Sequence, residues 1–197
     1  MSRFARQRRD VALVVSPDSM IKPCVASSRK DVKVRLIRDF HHYRLDELLD
    51  SDRVSNLERR VVDILLTSVK GDSERESSIA FELKHSSSVT QFARLIGQKR
   101  GLDEDLCAAG AVLHDIYVIV EGKYKDHARL GEPIAHELMV DSGFTGHEEK
   151  KVVTDIVVNH SDKHIWTSDP YAEFGKDIDV LDCFLYPNAV EFYIKNT

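Results

Sequence analysis

The sequence predicts an all-α protein, a helical bundle carrying an N-terminal extended or partly disordered appendage. Three observations lead there. Apolar residues recur at three- and four-residue steps from about Leu45 onward, glycines fall at the ends of those runs, and alternating strand-like patterning is confined to the first 40 residues. The 197 residues are 42% hydrophobic and 31% charged, ordinary for one soluble domain with a real core.

The front differs in charge as well as pattern. Residues 1–38 contain 10 Lys or Arg against 3 Asp or Glu, leaving 18 against 30 for the remainder. Val11–Val15 is a short β-prone run, and Val32, Val34 and Leu36 alternate with Lys33 and Arg35 as in a half-buried strand. We read residues 1–40 as a basic arm, a short hairpin or disordered. Such an arm can contact nucleic acid or an anionic membrane surface, although basic termini are more often simply solvated. The apolar run is too short for a signal peptide or a membrane span. Cys24, Cys107 and Cys183 are too few and scattered for a disulfide framework, which suits a reducing cytoplasm.

Residues 41–186 read as the helical domain and 187–197 as a tail. Leu45, Leu48, Leu49, Leu57, Val61, Ile64 and Leu65 trace a first helical stretch that Gly71 ends. A second helix is expected over about Glu76–Gln98, stopped by Gly101, and a third from Asp103 through His114-Asp115. Gly122 marks a turn before a fourth helix over Asp126–Asp141, which Ser142-Gly143 closes. Glu148–His160 makes a fifth, and Asp177–Leu185 a sixth that halts before Pro187.

Histidines lie on the inward faces of these helices. His85 shares a stripe with Val89, Phe92 and Ile96; His127 shares one with Gly131, Ile134, Ala135 and Leu138; His160 follows Val152, Val153, Ile156 and Val157. His114 and Asp115 follow Ala111-Val112-Leu113, and Asp179 sits among Ile178, Val180 and Leu181. Singly, each has an ordinary reading, such as a hydrogen-bonded core histidine or a capping aspartate. Together they put imidazoles and carboxylates from several helices into one interior. Burying such carboxylates is costly without a partner or a metal, and this donor set suits first-row divalent metals.

The order of these residues resembles the HD-domain metal-dependent phosphohydrolases, whose motif is a histidine, a His-Asp pair and a distal aspartate: here His85, His114, Asp115 and Asp179. Ile-Asp-Val-Leu-Asp at 178–182 is similar to the family's Ala-Asp-Arg-Leu-Asp, with Asp179 rather than Asp182 as the ligand. His127 and His160 match the two added ligands of the binuclear subset, which includes bacterial diadenosine tetraphosphatases. The likeness covers about residues 76–186.

The resemblance implies an HD-domain helical bundle with two divalent ions (Fe, Mn, Ni, Co or Zn), bridged by Asp115. It implies hydrolysis of a phosphate ester or anhydride of a nucleotide or other small phosphorylated metabolite, His114 and Asp115 being central to catalysis. Ion-activated water would serve as the nucleophile. Lys125 and Arg129 flank His127, and Lys163 and His164 follow His160; Lys125, Arg129 and His164 are the candidates for holding substrate. His164 would share the face of His160 if that helix continued. Ile116-Tyr117-Val118-Ile119 stands where many relatives carry Gly-Lys, leaving substrate class open. Two other readings use the same ligands: a mixed-valent di-iron oxygenase, and a nucleotide-sensing module without turnover.

Overall fold

The computed structural model describes residues 52–187, together with the isolated positions 189 and 191. The expected appendage, the residues around Leu45 and most of the tail lie outside the described residues. Within them the protein is helical with no strand: α1 (Arg53–Leu66), α2 (Ile79–Arg100), α3 (Glu104–Leu113), α4 (Ile116–Glu121), α5 (His127–Asp141), α6 (His147–Asn159) and α7 (Pro170–Phe184), with a short 3-10 turn at Asp72–Glu74. No helix among the described residues is long and apolar enough to cross a membrane.

Capping explains where several helices begin. Asp52 accepts hydrogen bonds from the amides of Val54 and Ser55, Ser78 from Phe81, Asp103 from Leu106, and Asp169 from Tyr171 and Ala172. Each side chain satisfies an amide that has no partner within its helix. Helix α7 starts at Pro170, seven residues before the expected Asp177, because Asp169 caps it and Pro170 takes the first helical position, where a missing N–H is harmless. Helix α1 ends at Leu66 rather than near Gly71. Helix α4 was not expected, since Ile116, Val118, Ile119 and Val120 have strand propensity; burial of Ile116, Val118 and Ile119 overrides it.

Helix α3 is the spine, with every residue from Cys107 to Leu113 buried. Ala108, Ala109, Val112 and Leu113 join a core with residues of α1, α4, α5 and α6. Cys107 and Ala111 join a second with Val89 and Ala93 of α2, Ile156 of α6, and Phe174 and Ile178 of α7. The crossings are close. A Cβ on Gly110 would stand 2.5 Å from Ile156 Cδ1, and one on Gly175 would stand 2.8 Å from Ile156 Cγ2. Those two glycines let α3 and α7 close on α6, and so bring the ends of α3 and α6 together with the middle of α7.

Candidate metal centre

The six residues singled out by pattern converge. His85 comes from the body of α2, His114 ends α3, Asp115 turns the chain into α4, His127 opens α5, His160 ends α6 and Asp179 lies within α7. His85, His114, Asp115 and His160 are 0–6% exposed. The ligand atoms form overlapping groups: His85, His114 and Asp115; Asp115, His127 and His160; His114, His160 and Asp179; and His85, Asp179 and Cys183.

Local chain geometry sets the direction of each ring. His114 Nδ1 donates to the Ala111 carbonyl at 2.7 Å and His160 Nδ1 to the Val157 carbonyl at 2.6 Å, each three residues upstream. Both histidines cap helix C-termini, where carbonyls lack helical partners and are open to a side-chain donor. His127 Nδ1 donates to the Tyr124 carbonyl at 2.6 Å. His85 sits inside a helix, where the carbonyls are already engaged, and its Nδ1 donates instead to Asp182 Oδ2 at 2.6 Å. With Nδ1 carrying the proton in every ring, the neutral imidazoles present bare Nε2 lone pairs to the centre.

Those Nε2 atoms pair around Asp115. His85 and His114 lie 3.1 Å apart at Nε2, and 3.6 and 3.3 Å from Asp115 Oδ2. His127 and His160 lie 2.9 Å apart at Nε2, and 3.1 and 3.3 Å from Asp115 Oδ1. While those imidazoles are neutral, with Nδ1 protonated, the buried Asp115 Oδ1 receives no hydrogen bond. Lone pair facing lone pair, and lone pair facing carboxylate, is repulsive until positive charge enters between them. Asp179 Oδ1 adds a further acceptor 3.4 Å from His85 Nε2 and 4.0 Å from His114 Nε2. The residues therefore fit divalent ions of the first transition row.

The same demand for positive charge shows in the proton affinities. Burial opposes the imidazolium of His85, but hydrogen bonding to Asp179 and Asp182 and the charge of Asp115 outweigh it, lifting the pKa to about 10. His114 and His127 are also raised against burial, mainly by Asp115, whereas burial and the charge of His114 lower His160. Burial opposes ionisation of Asp115 and Asp179 too. The charge of His114 with hydrogen bonds from His114, His127 and His160 holds Asp115 well below its ordinary range, and the His85 hydrogen bond with the charge of Lys163 does so for Asp179.

The three residues expected to hold substrate are all exposed. Lys125 is exposed before α5, and Arg129, with its side chain 75% exposed, reaches Asp162 at 3.8 Å. Helix α6 stops at Asn159, so His164 lies exposed on the following loop rather than on the face of His160. Lys163 is the cation that arrives: its Nζ is 2.5 Å from Asp179 Oδ2 and 2.6 Å from the His160 carbonyl. Sequence reasoning also passed over Glu82, fully buried one turn before His85, and Tyr124, whose hydroxyl meets it. An acidic residue on the inward stripe of α2 was the available signal for Glu82.

An all-helical scaffold whose helix ends aim imidazoles at a shared carboxylate defines a protein built around a metal centre. The HD domain family model matches residues 83–186, just over half of the chain and inclusive of all six cluster residues, and the chain belongs to the HD domain family, within the metal-dependent phosphohydrolase superfamily. No curated protein and no solved structure matches the chain significantly.

Proposed function

We propose that this protein hydrolyses a phosphate ester or anhydride of a nucleotide or small phosphorylated metabolite, using two divalent ions per chain. One observation carries the two-ion reading: the oxygens of Asp115 face different histidine pairs, Oδ2 towards His85 and His114 and Oδ1 towards His127 and His160. A carboxylate so placed can bridge. His85, His114, Asp179 and Oδ2 would hold one ion, and His127, His160 and Oδ1 the other. When bound, the ions would lower the pKa of water into the neutral range and neutralise charge on the phosphoryl oxygens.

The chain's own groups prepare that chemistry. Asp115 and His114 act through the ions they hold, and Asp182 fixes the tautomer and orientation of His85. Lys163 supplies positive charge beside Asp179, and its side chain is one-third exposed. A phosphate at the mouth would meet this ammonium, with exposed Lys125, Arg129 and His164 as further candidates.

The test is a panel of nucleoside monophosphates, dinucleoside polyphosphates, cyclic nucleotides and sugar phosphates. The protein is reconstituted without oxygen with Fe, Mn, Ni, Co or Zn in turn. The reading predicts metal-dependent phosphate release that Asp115→Ala abolishes. Nucleotide binding without turnover under every metal would point to a sensing module instead, and oxygen consumption to an oxygenase.

A further inference from the structure

His127 differs from the other three histidines in how it is held. His114 and His160 are fixed by carbonyls of the helices they end, and His85 by α7 through Asp182. His127 opens its helix, and the carbonyl that takes its Nδ1 proton belongs to Tyr124 on the preceding loop. The placement of its Nε2 is therefore only as good as the placement of that loop. Asp126, next in line, has φ of 55°, a left-handed conformation uncommon outside glycine, and its side chain does not cap α5.

Contacts from the segment leading into and along α2 hold the loop. Glu76 donates its amide to the Gly122 carbonyl at 2.8 Å and accepts the Tyr124 amide at Oε2, also at 2.8 Å. Deeper in, the Tyr124 hydroxyl donates to Glu82 Oε1 at 3.1 Å, and Ser77 donates to the same oxygen. Glu82 has no exposed surface, and its pKa is raised by burial and by the charge of Asp115. A carboxylate this costly to bury needs a compensating role. The Tyr124 ring lies edge-on to His127, with centroids 5.6 Å apart at 84°.

We infer that Glu82 and Tyr124 are positioning residues for the ion shared by His127, His160 and Asp115. The path runs from Glu82 through the Tyr124 hydroxyl, then from the Tyr124 carbonyl to His127 Nδ1. Since His85 is three residues beyond Glu82 on α2, one helix then fixes a ligand in each half of the cluster. This inference rests on the two-ion reading above. Tyr124→Phe deletes one hydroxyl and leaves the His127 hydrogen bond to the backbone available, so its effect is on placement rather than on ligand count.

The experiment is calorimetric titration of the full, chelator-treated chain with Co(II) alone, for wild type, Tyr124→Phe and Glu82→Gln. Tyr124→Phe is expected to keep the first equivalent at wild-type affinity and to weaken the second about tenfold or more, as loss of outer support for a ligand does. Glu82→Gln, whose amide oxygen still accepts from Tyr124, is expected to stay close to wild type. Two equivalents at unchanged affinity in Tyr124→Phe would overturn the inference while sparing the two-ion reading. So would equal weakening of both equivalents together with a lowered melting temperature, which marks a purely structural role. Fewer than two equivalents in the wild type would overturn both, before any variant is made.

Discussion

Asp182 provides the sharpest perturbation of the centre, because it is not one of the six converging residues yet sets the direction of one. Its carboxylate is 3% exposed and accepts the His85 Nδ1 proton at 2.6 Å, while Ser88 bonds its other oxygen. Replacing Asp182 with Ala has two separable consequences. In the metal-free chain the Nδ1–H of His85, itself 2% exposed, loses its partner; an unsatisfied buried donor costs about 1–3 kcal/mol of stability. In the loaded chain the imidazole is less basic and less well oriented. Loss of such a partner typically weakens metal binding about 10–100-fold, or about 1.4–2.7 kcal/mol. Asp182→Asn keeps a carbonyl oxygen for His85 and should fall between wild type and Ala on both scales. Urea denaturation of chelated protein reads the first effect, and calorimetric titration with Mn(II) reads the second. An Asp182→Ala protein with wild-type metal affinity and an unchanged unfolding midpoint would refute the assignment of His85 Nε2 as the metal-facing nitrogen.

Other expectations follow from the same geometry. His114→Ala should lose metal uptake and hydrolysis while far-ultraviolet circular dichroism still shows the helices; retained hydrolysis would remove this site from the mechanism. Gly110→Ala puts a Cβ 2.5 Å from Ile156 Cδ1, an overpacking that should destabilise by about 1–3 kcal/mol; an unchanged melting temperature would show that α3 and α6 separate without cost. The pKa of His85, raised from 6.5 to about 10, makes a signed prediction for the metal-free chain. Stabilisation by the His85 imidazolium is complete below 6.5 and is lost as pH climbs through 10, so melting temperature should fall across that interval. Saturating Mn(II), which competes with the proton for the same nitrogen, should oppose that fall. A metal-free melting temperature that rises from pH 7 to 10 would contradict the placement of Asp179 and Asp182 against His85.

Much of this was legible in the sequence, and the exceptions have physical causes. The apolar steps of α2, α3, α5 and α6 mark their inward faces directly, and the histidines on those faces are the ones that meet. Helix α4 was hidden because β-branched residues fill it, and only burial in the core it shares with α1, α3, α5 and α6 decides its conformation. The early start of α7 was obscured by Gly175, a residue that weakens a helix in isolation but is required here by the approach of Ile156. In the site, residue type and order were readable, because ligand chemistry restricts both. The pairings of Asp182 with His85, Lys163 with Asp179 and Glu82 with Tyr124 were not, since each joins residues from different parts of the fold. His164 would share the face of His160 only on a continued helix, and α6 stops at Asn159.

Metal content per chain tests the central claim most directly, by elemental analysis of protein purified without oxygen or chelator, beside Asp115→Ala. The account predicts about two equivalents in the wild type and their loss in the variant, since Asp115 faces both histidine pairs. Less than roughly half an equivalent in the wild type, even after reconstitution, would contradict it.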